Sequence, residues 1–301
     1  MNIIYILTKR NVKTFFKDKT MFFTSLITPI ILLVLYVTFL AKVYKSAFLA
    51  NIPLGVSVSE KIVNGMVGGQ LFSSLLAVSC VTVAFCANML MVTDKINGAR
   101  KDFYITPVKK SYLAISYYVG TLFTTLLVSL VAIAVSFIYL AITGWCLSFG
   151  DVMLILFDTF LLTMFGTALA CIINVFLSSQ GQVSAVGTIV SAGYGFICGA
   201  YMPISQFGSA LQHILMFLPG TYGTSLIRNH SLNGVYKQMA KDNFPPEVIE
   251  AIKDSVDCNL YFFDNKVSVG TMYGVILGSI VLLLGVYVLI NFIKSKRQIV
   301  S

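Results

Sequence analysis

The stretch that decides the fold runs from Gly187 to Arg228, GTIVSAGYGFICGAYMPISQFGSALQHILMFLPGTYGTSLIR. Its first part is apolar, and Gly187, Ser191, Gly195 and Gly199 recur at every fourth position. On a helix that spacing makes one small-residue face, against which another membrane helix can approach closely. Pro203 then removes a backbone donor and breaks the helix. A second apolar run, Ala210 to Leu218, is stopped by Pro219-Gly220. A helical crossing takes roughly 20 apolar residues, so this run is too short to make one. The expectation is a membrane helix over 183–203 and a re-entrant hairpin over 204–228 that dips into the outer leaflet and returns. Broken backbone at that depth survives only where protein or a watery cavity covers it. The hairpin is therefore expected to line or cap a pathway.

Outward from this stretch the chain is greasy: 57% of its 301 residues are hydrophobic and 11% charged, with a mean hydropathy of +0.86. A soluble domain carries about a quarter charged residues, so the fold class is an all-α membrane protein. The formal charge of +9 does not indicate nucleic acid, because the basic residues gather at membrane edges, where they set orientation and meet lipid headgroups. Cys80, Cys86, Cys171 and Cys198 lie in apolar segments as small packing residues. A disulfide between Cys146 and Cys258, both in expected outer loops, is left for geometry to decide. The N-terminal apolar run is too long for a cleavable signal, and no small-residue cleavage site follows it.

Residues 1–20 read as an interfacial helix. Ile3, Ile4, Leu7, Val12, Phe15 and Phe16 share one face, and Lys9, Lys13 and Lys17 form a row on the other. The plainer reading is a snorkelling flank that sets orientation. Six crossings follow at 21–41, with Pro29 inside it, 65–92, 112–142, 152–177, 183–203 and 267–293. Small residues repeat at helical spacing in the second (Gly69, Ser73, Ala77) and the sixth (Gly270, Gly274, Gly278). Between them lies one long polar segment, 229–266, where Pro245-Pro246-Glu247 marks a helix start. The N-terminus, the loop with Lys95, Arg100, Lys101, Lys109 and Lys110, and the tail with Lys294, Lys296 and Arg297 all fall on one side. That side is cytoplasmic, both termini included, and 229–266 is external.

No phosphate-binding loop and no metalloprotease motif occurs in the sequence. His213 and His230 lie near the outer face with no nucleophile beside them, and an ordinary interfacial role outweighs a ligand role. Asp158 sits inside the fourth crossing, two turns from Asp151 and so about 10 Å from the edge. An ionisable group there is functional by default, as a cationic-substrate or proton site; the competing reading is a carboxylate hydrogen-bonded to a neighbouring helix or to headgroup water. In Thr93–Ser111, the aromatics Phe103 and Tyr104 follow Arg100, Lys101 and Asp102, and Thr106-Pro107 stops the helix. Such a helix either inserts into a partner's groove or is a basic loop that only fixes topology.

Taken together, KTFFKDKTMFFTSLITPIILLVLYVTFL, NGARKDFYITPVKKSYL and GAYMPISQFGSALQHILMFLPGTYGTSLIR resemble the ABC-2 type of ABC transporter permease, over essentially the whole chain. One departure is Gly98-Ala99-Arg100-Lys101, where many relatives carry Gly-Thr-Leu-Glu; here the acid comes one place later, at Asp102. The resemblance implies a permease that pairs with a second copy or a related permease and binds two copies of a separate ATPase subunit. ATP and magnesium would then sit on that partner, leaving no cofactor or metal on this chain. It implies docking through Lys9, Lys13, Lys17 and the segment Arg100, Lys101, Asp102, Phe103, Tyr104, Thr106 and Pro107. It also implies a pathway or gate at Gly199, Pro203, Pro219 and Gly220, with Asp158 as a further pathway candidate, and export of a hydrophobic or amphipathic substrate from a bacterial cell. The rival class is a stand-alone channel or gradient-driven carrier using Asp158, against which counts the lack of two visible inverted halves. A membrane-embedded enzyme comes third, without an acid, base or metal cluster.

Overall fold

The computed structural model describes residues 3–52, 58–104 and 108–297. Its axis is α4, Glu60–Ile96, apolar all round and buried almost throughout, as a helix surrounded by other helices must be. Packed on it are α2 (Lys19–Leu35), α6 (Lys110–Thr143), α7 (Phe149–Asn174), α8 (Gln180–Ile197) and α10 (Pro219–Lys241). Small residues set the approach. A methyl group added at Gly69 would meet Leu232 of α10 at 2.7 Å, and one at Gly166 of α7 would meet the Cys80 carbonyl of α4 at 2.8 Å. The bundle is completed by α1 (Ile3–Lys17), α3 (Ala41–Ala50), α5 (Ala99–Tyr104), α9 (Ser209–Leu215), α11 (Pro246–Ser255) and α12 (Val269–Arg297). A two-residue hairpin, β1 (Tyr261–Phe262) on β2 (Asn265–Lys266), is the sheet among the described residues.

Among the described residues, five helices are long and apolar enough to cross a membrane: Lys19–Ala50, Glu60–Ile96, Lys110–Thr143, Phe149–Asn174 and Val269–Ile293. The first runs past residue 41 to Ala50, because α2 passes into α3 through a π-helical turn, Tyr36–Leu40, instead of ending. Burial of Tyr44 and Phe48 holds that extension.

Three expectations need correction. The helix expected over 183–203 ends at Ile197, and α8 is not among the five apolar spans; it opens on Gln180-Gly181-Gln182. Gly199 ends it, with φ +72 and its N–H bonded to the Phe196 carbonyl, the left-handed cap that glycine adopts at least cost. Pro203 comes later, as the residue entering a 3₁₀ turn, Ile204–Gln206. The division at 228/229 between hairpin and polar segment falls inside α10, one continuous helix. Pro219 opens that helix, at a position where its missing N–H leaves no bond unmade. The face of α1 also differs. Leu7, Asn11 and Phe15 are buried, and Asn11 donates to the Ser116 carbonyl of α6 at 3.1 Å, while Ile3 and Phe16 stay exposed. Cys146 and Cys258 are free thiols, and Cys258 lies 3.3 Å from the Tyr236 hydroxyl.

Candidate functional site

At one end of the bundle α1, α5, the last turn of α4 and the start of α6 meet around Arg10. Its guanidinium grips Asp94 of α4 with two nitrogens, one at 2.8 Å, and lies 5.5 Å over the Phe103 ring of α5. Tyr117 of α6 donates to the same carboxylate at 2.6 Å. The Asp94 hydrogen bond holds Arg10 above its ordinary pKa, against the pull of burial. An arginine fork on a carboxylate is directional as well as strong, so α5 is held by a stacked, oriented cation.

Of the predicted docking residues, Lys9, Lys13 and Lys17 form an exposed row on α1, Arg100 and Phe103 are half-buried on α5, and Asp102 is exposed. Lys101 and Tyr104 belong to the same helix; Thr106 and Pro107 lie outside the described residues. Sequence reasoning missed Arg10 and Asp94 as a pair, 84 residues apart. The one available signal was an acid in the last turn of an apolar helix.

Of the predicted gate residues, Gly199 closes α8, Pro203 enters the 3₁₀ turn, and Pro219 and Gly220 open α10. Tyr222 donates to the Met216 carbonyl at 2.6 Å and Thr221 to the Leu215 carbonyl at 2.9 Å. The carbonyls that α9 leaves open are thus answered by the first turn of α10. Gly220 is required by proximity: an added methyl group would lie 2.6 Å from the Tyr194 hydroxyl of α8.

Behind this junction Arg228, 1% exposed, donates to the Gly199 carbonyl at 2.9 Å, the Val256 carbonyl at 2.8 Å and Ser74 Oγ of α4 at 3.2 Å. Its counter-ion is Asp257 at 3.6 Å, whose carboxylate also accepts from the Ile204 and Ser205 N–H groups at 2.5 and 3.2 Å. Burial pushes the Asp257 carboxyl above its usual range, while Arg228 and the two N–H groups pull it back. One buried ion pair therefore joins α8, the 3₁₀ turn, α10 and α4.

Asp158 is buried and both its oxygens are engaged. His230 Nδ1 of α10 lies 2.5 Å from one, and the Tyr273 hydroxyl of α12 donates to the other at 2.6 Å. Two turns away on α7, Asp151 accepts from Asn233 of α10 at 2.6 Å. The carboxylate thus stitches three helices, and it meets His230, for which the sequence favoured an ordinary interfacial role over a ligand role.

Along the other side of α4, a groove of about 1310 Å³ opens between α2–α3 and α8. It runs from Asp18 to Asn51, and Pro203 and Gly187 line it. The small-residue row of α8 therefore does not pack as one face on another long helix. Gly187 meets Met89 of α4, and Gly195 receives the ring of Tyr201.

Residues 2–230 match the family model of the ABC-2 type transporter. The chain belongs to the ABC-2 type transporter family. No curated protein matches it. An ABC-2 chain is the multi-pass transmembrane component of a transporter, not normally catalytic itself, and such permease domains typically pair with ABC ATPase subunits. In this ABC-2 permease the match takes in α8, the first half of α10 and the groove except for its Ile252, Ser255 and Val256 wall, and stops at His230.

Proposed function

We propose that this ABC-2 permease is the membrane subunit of an ATP-driven exporter, moving a hydrophobic or amphipathic substrate (a drug, an antimicrobial peptide or a lipid) out of a bacterial cell. Two separate ATPase subunits dock on α1 and α5, and a second copy of the permease or a related one completes the pathway. ATP and magnesium are held by the ATPase. Both termini are cytoplasmic, consistent with the basic rows on α1 and around α5.

The observation that carries the reading is the Arg10 cluster. It ties the short helix α5 to the last turn of the buried axis α4 through Phe103, Arg10 and Asp94, so a push on α5 is delivered to that axis. A contiguous polar and packed chain of this kind is what a mechanical coupling requires. The groove supplies a route flanked by helices that bury little of their surface. The rival, a stand-alone channel or gradient-driven carrier with Asp158 as its ion site, is disfavoured by the full engagement of both Asp158 oxygens.

The test is copurification with the ATPase subunit, using Arg100→Glu with Lys101→Glu. Loss of association, or of substrate-stimulated ATP hydrolysis, is the expected result. Unchanged association and hydrolysis would remove α5 from the docking surface. Transport by the isolated permease in sealed vesicles would overturn the ATP-driven reading altogether.

A further inference from the structure

The groove holds two polar side chains that the fold leaves unanswered. Gln70 of α4 is 5% exposed and Thr28 of α2 is 8% exposed, and both line the groove. Neither the Gln70 carboxamide nor the Thr28 hydroxyl has a hydrogen-bond partner among the described residues. Their polar tips therefore open onto the groove, where hydrocarbon chains offer no hydrogen bond. A ligand carrying a hydroxyl or amide supplies one.

The charge of the lining points the same way. The chain has 21 Lys and Arg, yet among the described residues no Lys, Arg or His lines the groove. Its one formally charged lining residue is Asp18 at a mouth, where one carboxylate oxygen already caps α2 by accepting from the Met21 N–H at 3.0 Å. A phosphate or carboxylate drawn in here would lose its water and gain no counter-ion from the lining.

Size narrows the class further. From Asp18 to Asn51 the helix rises about 50 Å, more than the roughly 30 Å hydrocarbon layer. The volume of about 1310 Å³ exceeds the roughly 300–1,000 Å³ of drug-sized pockets.

Resting on the permease reading above, we infer that the groove binds lipid-sized amphiphiles whose polar part is uncharged and hydrogen-bonding, and that it rejects those bearing an anionic group. Gln70 is the residue that meets the polar part; Thr28, about 20 Å from it along the antiparallel helices, stands nearer the Asp18 mouth. The long apolar flanks, Leu35, Phe39 and Val43 among them, take the chains.

The experiment uses the full chain in phosphatidylcholine vesicles, with Ser191→Cys on the groove wall and Cys86→Ser to silence the thiol that also lines it. A bilayer-soluble maleimide reports the labelling rate. The competitors are a fluorescent diacylglycerol and the phosphatidic acid with the same acyl chains, which differ by the phosphate alone. Diacylglycerol should slow labelling at least fivefold and phosphatidic acid less than twofold. Gln70→Leu should raise the diacylglycerol concentration needed for half protection three- to tenfold, and Gln70→Lys should admit phosphatidic acid. Gln70→Met, closer to glutamine in shape and lacking its amide, is the companion variant should Gln70→Leu fail to fold. Equal protection by the two lipids, protection by neither, or indifference to both substitutions overturns the inference. No ATPase enters this assay, so its failure leaves the coupling reading standing, and loss of the coupling reading leaves this result intact.

Discussion

Replacing Asp257 by Asn removes one charge from the pair behind the α8–α10 junction and little else. Arg228 then stays buried with three neutral acceptors, the Gly199 and Val256 carbonyls and Ser74 Oγ. Deleting one partner of a buried pair costs about 3–5 kcal/mol. The Asn carbonyl still accepts from the Ile204 N–H, so the expected loss is smaller, between about 2 and 4 kcal/mol. Since every 1.4 kcal/mol is a tenfold change, local opening becomes on the order of 30- to several hundred-fold more frequent. The junction carries its own reporters, because Cys198 and Cys258 are buried free thiols within it. With detergent-solubilised protein and a thiol-reactive fluorophore, labelling of Cys198 and Cys258 should speed up by that factor, while Cys171, buried against Asn88, keeps its rate. Arg228→Met should behave similarly. Combining it with Asp257→Asn should cost less than the two single losses added together, because no uncompensated charge remains. Labelling of Cys198 and Cys258 within twofold of the native rate in both single variants would refute the idea that this pair holds the junction.

Gly234→Ala places a methyl carbon 1.7 Å from the Cys146 carbonyl oxygen. The variant should give a clearly lower thermal midpoint and folded yield by size exclusion, since overpacking costs about 1–3 kcal/mol or more. Asp158→Asn keeps an acceptor for Tyr273 but loses the charge facing His230. A melting-point loss equivalent to about 1–3 kcal/mol, with ATPase association intact, is expected; an unchanged melting point would show that the three helices do not depend on the cluster. Glu250 accepts from Lys253 at 2.7 Å and Lys266 at 2.8 Å, which lower its carboxyl from the usual 4.5 to about 2. That depressed value means the pair stabilises α11 and the hairpin fully above about pH 4.5 and loses hold as pH falls towards 2. Amide exchange over 246–266, corrected for intrinsic rates, should show protection falling between pH 5 and pH 3 in the native chain. In Glu250→Gln protection should already be low at pH 5.

What could be read from the sequence was what hydrocarbon demands directly. Long apolar runs gave α2, α4, α6, α7 and α12, because a helix facing lipid on any side cannot hide polar residues there. α10 escaped that logic. With Arg228, Asn229, His230 and Asn233 along it, it looks unable to lie in the bundle, yet Ser225, Arg228, Asn229 and His230 each have their partner on another segment. Such burial depends on groups 28 to 154 residues away in sequence, which no local pattern reveals. The break after α8 was foreseen and its cause misassigned: Gly199 acts first, and Pro203 only shapes the turn that follows. Asp158 was legible as an anomaly, whereas its partners His230 and Tyr273 were not.

The ion pairs divide the bundle by how firmly each helix is held. α4 and α10 are buried along their length, and α10 is tied to α7 and α12 through Asp151 and Asp158. Within α8, by contrast, only Val183 and Gly195 are buried, and its polar ties to α10 gather at its end, from Thr221 to the Ile197 carbonyl at 3.5 Å and from Arg228 to the Gly199 carbonyl just beyond. Elements with few buried contacts open at the least cost, and an apolar helix leaving α4 meets lipid tails as apolar as the side chains it left. Displacement of α8 therefore costs the hydrogen bonds at its outer end and the packing of Val183, Val186, Val190 and Tyr194, less apolar burial than α4 or α10 would lose. Such a displacement would widen the groove along Gly187 and Ser191, which line it, so Asp257→Asn is also expected to speed thiol labelling of Ser191→Cys, and an unchanged rate there would separate the junction from the groove.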